Sequence, residues 1–244
     1  MSAPTQAELL GLFSLLRPWT MRSHTKLRVG AEFDGGYVLP HCALACDSVV
    51  SIGIGNEVSF DLALAQRGAH ILQYDHTVEA PPQAHANFHF HKKGWGRVRG
   101  GDFVDFSDIE ADLRALSPRR SLLKFDVEGA EYEGLADVEA ARLKPFDIIA
   151  CELHFFERLA ERPVFETMRR TFTLLSTFHV PVHLHANNAL GMVFFQGMAI
   201  PRLLEVSYLR RDLDVFSALS TEPIPGPLDR PNLPQIPDLC LNVF

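Results

Sequence analysis

The stretch Ser48-Val-Val-Ser-Ile-Gly-Ile-Gly-Asn-Glu57 decides the fold. A short run of small and β-branched apolar residues ends in glycines that let the backbone turn tightly. This is how a buried parallel strand hands over to the helix behind it. Outward from this stretch the alternation repeats. A helix is expected from about 58 to 67, strands at 70–74 and 86–91, a helix over 106–116 and a fourth strand at 121–126. Beyond them follow a helix running to about 143, a fifth strand at 147–153 and a long helix over 164–178 with apolar positions at Phe165, Met168, Phe172 and Leu175. Residues 180–185 and 202–208 complete seven strands, the last two expected to pair partly antiparallel. The pattern predicts an α/β fold, a doubly wound, Rossmann-like seven-stranded sheet with helices on both faces.

The flanks read differently. Leu9, Leu12, Phe13 and Leu16 lie on one face of a helix that Pro18 ends. Two extended runs then surround Asp34-Gly35-Gly36, a hairpin turn, so residues 1–46 form an N-terminal helix and hairpin cover on a main domain of residues 47–220. Prolines at 223, 225, 227, 231, 234 and 237 make 221–244 an extended tail, expected to pack on its own domain, with a homodimer the other place for it.

In this chain of 244 residues, 30 acidic against 23 basic side chains give a formal charge of −7, without the positive footprint of a nucleic-acid binder. Four scattered cysteines do not make a disulfide framework. The apolar stretch 9–16, preceded by Glu8, is too short for a signal peptide or a membrane span, so a cytoplasmic protein with no membrane partner is expected.

Ligands of doubly wound sheets bind outside the carboxyl ends of the strands. The first strand ends in Gly53, Gly55, Asn56 and Glu57, and twenty residues after Gly55 the second ends in Asp75, where a carboxylate can accept from both hydroxyls of a ribose. Ser59 and Phe60 stand where a third glycine could fall, which suits a dinucleotide poorly and a smaller adenosine-bearing ligand better. Trp95 and Asp102 follow the third strand, where an aromatic could flank an adenine and a carboxylate could reach its amine.

With Ser51-Ile-Gly-Ile-Gly-Asn56, Asp75, and above all Leu123-Lys-Phe-Asp-Val-Glu-Gly-Ala-Glu131, the chain resembles the FkbM-like S-adenosylmethionine-dependent methyltransferases. It also resembles a branch with an Arg-x-Gly…Asp-Gly-Gly-Tyr-Val leader, here 28–38, and a His-x-His-x-Asn-Asn block, here 183–188. The resemblance implies S-adenosylmethionine as donor and O-methylation of a small-molecule hydroxyl on a sugar or natural-product scaffold. Side chains alternate along strands, so Asp126 and Glu128, Glu152 and His154, and His183 and His185 are expected at neighbouring strand ends. Asp126, His154 and His185 are the expected catalytic groups, and Asp126, Glu152, His154 and His185 the expected ligands of a divalent metal. Mixed carboxylate and imidazole donors suit Mn, Fe or Zn, and carboxylate-richer sets suit Mg. Against these roles stand ordinary ones: Glu128 as a helix cap, His154 and His185 as hydrogen-bonded histidines, Asn187 and Asn188 as shapers of a loop. A nicotinamide-dependent oxidoreductase and a non-catalytic nucleoside-binding module on the same fold are the alternative functions.

Overall fold

A computed structural model describes residues 2–241; the last three residues of the expected tail, 242–244, lie outside the described residues. The apolar runs form one seven-stranded sheet from β1 (Ser48–Ile52), β2 (His70–Tyr74), β3 (Phe88–His91), β4 (Ser121–Phe125), β5 (Phe146–Leu153), β6 (His179–Phe195) and β7 (Met198–Arg210). Their spatial order is β3-β2-β1-β4-β5-β7-β6. β7 is antiparallel to both neighbours and every other pairing is parallel. The chain winds outward from β1 in one direction and from β4 in the other, so the crevice of a doubly wound sheet falls between these two.

The sheet is covered on both faces, and the side-chain period of two sorts the cores. On one face Val50, Ile52, Leu72, Leu123, Phe125 and Ile149 pack with α1 (Gln6–Ser14), α3 (Phe106–Ala115) and α5 (Arg162–Phe178). On the other, Val49, Ile71, Leu122 and Ile148 pack with α2 (Ser59–Ala65) and the hairpin formed by Lys26–Val29 and Tyr37–Pro40. Each fully buried Leu or Phe contributes about 1.5–3 kcal/mol of transfer free energy, so both layers are integral to the fold. Capping sets one boundary clearly: the Asp105 carboxylate accepts from the Ser107 and Asp108 amides and starts α3.

Two expectations need correction. The helix expected to reach 143 is only α4 (Glu131–Gly134), followed by a separate 3-10 turn at Ala140–Leu143. Gly134 lies directly under the Trp95 indole, at a contact too close for any side chain, and the chain turns away after it. The segment 187–192 lies within β6, which extends to Phe195, although its pairing with β7 lapses there: Asn187 pairs with Leu203 and Met192 with Pro201, and the residues between bulge out of the ladder. A register shift between Pro181 and His183 sends Leu184 and Ala186 to the first core with Leu204 and Val206. His183, His185 and Asn187 therefore face the other way, toward the hairpin side.

Candidate active site

A cavity of about 420 Å³ opens at the carboxyl ends of β1, β2 and β4. Gly53, Gly55, Asn56 and Glu57 line one wall, with Asp75 and Thr77 beyond β2 and Asp126, Val127 and Glu128 beyond β4. Both loop glycines have positive φ, 76° and 50°. A Cβ on Gly53 would collide with the Asp126 carbonyl, whereas one on Gly55 would project into open space. The first glycine lets two loops touch; the second leaves room for a ligand against bare backbone.

Asp75 is the hinge of this wall. Its Oδ2 accepts from the Ile54 and Gly55 amides at 3.0 and 2.8 Å, and its Oδ1 from the Thr77 amide and hydroxyl at 2.7 and 2.6 Å. Burial opposes its ionisation, but these donors outweigh it and hold the carboxyl below its usual range. Glu57 accepts from the Ser59 amide at 2.7 Å, and Asn56 is exposed beside it on the cavity wall. Trp95, His76 and Phe103 form the aromatic side of the cavity, with His76 and Phe103 rings 5.0 Å apart. Asp102 is exposed in a turn and outside the cavity lining, whereas its neighbour Phe103, which starts a short strand, lines the cavity.

Behind Asp126 lies a buried cluster. His154 Nε2 is 3.3 Å from Glu152 Oε1, 3.4 Å from Glu128 Oε2 and 4.0 Å from Asp126 Oδ1, yet has no hydrogen-bond partner among the described residues. Nδ1 on the far side of the ring is 3.2 Å from Glu131 Oε1, which also accepts from the His154 amide at 2.9 Å. The Tyr132 hydroxyl donates to the His154 carbonyl, so the residue is held at its ring and at both of its backbone polar groups. Asp126, Glu152 and His154 each offer one ligand atom, all within 4.8 Å of one another. Lys124 donates to the Gly53 carbonyl at 2.7 Å and stands 3.9 Å from Asp126 Oδ2. Tyr37, from the hairpin, donates to the same Oδ2 at 3.1 Å. Burial and the Asp126 charge push the Tyr37 phenol far up, so it stays a donor.

Four carboxylates thus meet one imidazole and one ammonium. Burial and the charge of Asp126 push the Glu152 carboxyl up. Burial opposes charge on His154, but Glu131 and Glu152 outweigh it and raise its pKa. Both shifts have one origin, carboxylates that face each other and the imidazole with little solvent between them. Backbone strain marks the same spot. Glu128 and Phe155 both adopt positive φ, 53° and 67°, and the Phe155 ring fills the space where a side chain on Gly129 would be.

His185 is not brought into this cluster. Its Nδ1 pairs with Glu205 at 3.0 Å and its Nε2 with Asp238 at 3.1 Å, so neither ring nitrogen is free. His183 pairs with Asp229 at 2.7 Å. These histidines fasten the tail onto β6 and β7, helped by Asn232, which donates to Glu205 at 2.6 Å and to Asp34 at 3.1 Å. Sequence reasoning did not single out Tyr37, Glu131 or Asn187 as site residues, although each sits in a quoted motif. Asn187 donates to Glu152 Oε2 at 3.1 Å.

No curated protein matches the chain. The family model of the methyltransferase FkbM domain, by contrast, matches residues 31–177, more than half of the chain and the part that carries the glycine loop, Asp75, Asp126 and His154; the chain belongs to the FkbM methyltransferase family.

Proposed function

We propose that the protein is an S-adenosylmethionine-dependent O-methyltransferase that acts on a hydroxyl of a small molecule, such as a sugar or natural-product scaffold, with a divalent cation at Asp126, Glu152 and His154. The observation that carries this reading is the buried, unpartnered Nε2 of His154 facing two carboxylates at the edge of the cavity. Family membership favours methyl transfer over nicotinamide chemistry.

S-adenosylmethionine would supply a methyl group on a sulfonium. The chain would hold that donor with the Gly53–Gly55 backbone, Asn56 and Glu57 along one wall and Asp75 at the ribose. There a ribose hydroxyl would take the place of the Thr77 hydroxyl, which can rotate off Oδ1. Phe103 and His76 offer aromatic faces for the adenine. Asp34, Glu57, Asp126 and Glu128 give the cavity an anionic lining that suits a sulfonium and disfavours a negatively charged acceptor.

The cluster fits a divalent cation by donor type and by charge. Such an ion would lower the pKa of an acceptor hydroxyl and fix its oxygen. Asp126, shared between cavity and cluster, is placed to aim that oxygen, and Glu128 at the mouth can accept its proton. Methyl transfer needs in-line attack with little covalent help, so positioning by these residues supplies most of the rate.

Calorimetric titration with S-adenosylmethionine tests the reading: micromolar binding is expected, weakened about tenfold or more in Asp75→Ala. A folded protein that binds none at millimolar donor refutes it. Dialysis against a chelator tests the cation, with loss of turnover and recovery on adding Mn2+ expected; undiminished turnover leaves His154 as a base alone.

A further inference from the structure

Each of the three inner groups has one polar atom tied from behind and one left free. Asp126 Oδ2 accepts from the Tyr37 hydroxyl, while Oδ1 turns toward His154. Glu152 Oε2 accepts from the Asn187 amide, while Oε1 lies 3.3 Å from His154 Nε2. His154 Nδ1 is held by Glu131, while Nε2 is buried and free. The tied atoms point outward and the free ones converge.

The three outer groups come from separate parts of the chain: the hairpin, the start of α4 and the middle of β6. All three are buried, and Glu131 completely so. A buried carboxylate is costly, and Glu131 bears that cost with its second oxygen unpaired. Packing alone would be served better by an apolar residue of that size. What the carboxylate supplies is an acceptor for the Nδ1 hydrogen, which fixes the ring so that Nε2 is the nitrogen turned to the gap.

We propose that Tyr37, Glu131 and Asn187 form an outer ring of positioning residues, each fixing the orientation of one inner group so that Asp126, Glu152 and His154 are set in advance for a divalent cation. The inference rests on the cation reading above. It gives a shared task to the hairpin leader, the Val-Glu-Gly-Ala-Glu run and the Asn-Asn block, three segments far apart in sequence.

Mn2+ binding to the full-length protein, read by calorimetry, is the test. Tyr37→Phe, Asn187→Ala and Glu131→Ala should each weaken Mn2+ binding about 10- to 100-fold, the usual effect of removing an outer partner. Glu131→Gln keeps an acceptor and should restore most of the affinity lost in Glu131→Ala. S-adenosylmethionine affinity, measured on the same samples, should stay within about twofold, which a general loss of structure would not permit. Mn2+ affinity within about twofold of wild type in folded Tyr37→Phe and Asn187→Ala overturns the ring, since outer partners ordinarily matter more than that. A wild-type protein that binds S-adenosylmethionine but no Mn2+ removes the cation, and the ring with it, while leaving methyl transfer standing.

Discussion

His154 and His185 are both almost fully buried, both at the hairpin side of the sheet and both pressed by carboxylates, yet they do opposite things. Burial opposes charge on each, and hydrogen bonds to acids outweigh it; for His185, Asp238 and Glu205 raise the pKa to about 10. The difference is valence. His185 spends both nitrogens on protein partners and becomes a fastener for the tail, whereas His154 spends one and keeps the other aimed at a gap between acids. Acidic surroundings alone do not distinguish the two; a ring nitrogen without a hydrogen-bond partner does.

The sharpest way to break this comparison is to remove each ring. His154→Ala should abolish Mn2+ binding and cut methyl transfer, read as S-adenosylhomocysteine release, by at least about 100-fold. His185→Ala should leave Mn2+ affinity within about threefold, as expected of a group outside the ligand set. Equal losses in the two variants would merge the regions into one site. At the next level, Asp238→Asn should cost about 2 kcal/mol in urea unfolding by weakening a charge-assisted bond, and should expose the tail to limited proteolysis.

Acidity gives a subtler separation. Because the folded-state pKa of His185 is raised, its contribution is complete below about pH 6.5 and fades as pH rises through about 10. Hydrogen exchange of the 221–241 segment should therefore accelerate above about pH 9, and Asp238→Asn should move that onset down. His179 runs the other way. Burial holds it neutral with a pKa of about 4, against the Phe146 carbonyl, so its share of stability is present above pH 6.5 and is lost as pH falls toward 4. His179→Gln should flatten the acid limb of the stability curve. The smallest effect is expected from Asp102→Ala, which should leave S-adenosylmethionine affinity unchanged, because that carboxylate lies outside the cavity lining.

The sheet and the glycine loop were legible because they depend on local pattern. Apolar runs of strand length, Gly53 and Gly55 at a strand end, and Asp75 twenty residues on, announce a parallel sheet and its crevice. What stayed hidden depends on contacts between distant segments. Nothing near His185 says that Asp238, 53 residues later, will take its second nitrogen. The register shift between Pro181 and His183 in β6 decides which of the side chains after it face the hairpin, and a sequence period cannot show it. Asp102 sits in the turn before Phe103, outside the cavity lining, and it is Phe103 that lines the cavity. Tyr37 was visible as part of a turn, but its bond to Asp126, 89 residues away, was not.

That long reach bears on how the protein is assembled. The cluster closes only when Tyr37, Asp126, His154 and Asn187 have all arrived, and contacts of such sequence separation form late, after the entropy of closing the intervening loops has been overcome. Refolding chains should gain helix signal well before they can hold Mn2+. An ion that recognised only the finished arrangement would then act as a proofreader of folding, drawing the population toward the native state by mass action and passing over every partly built competitor.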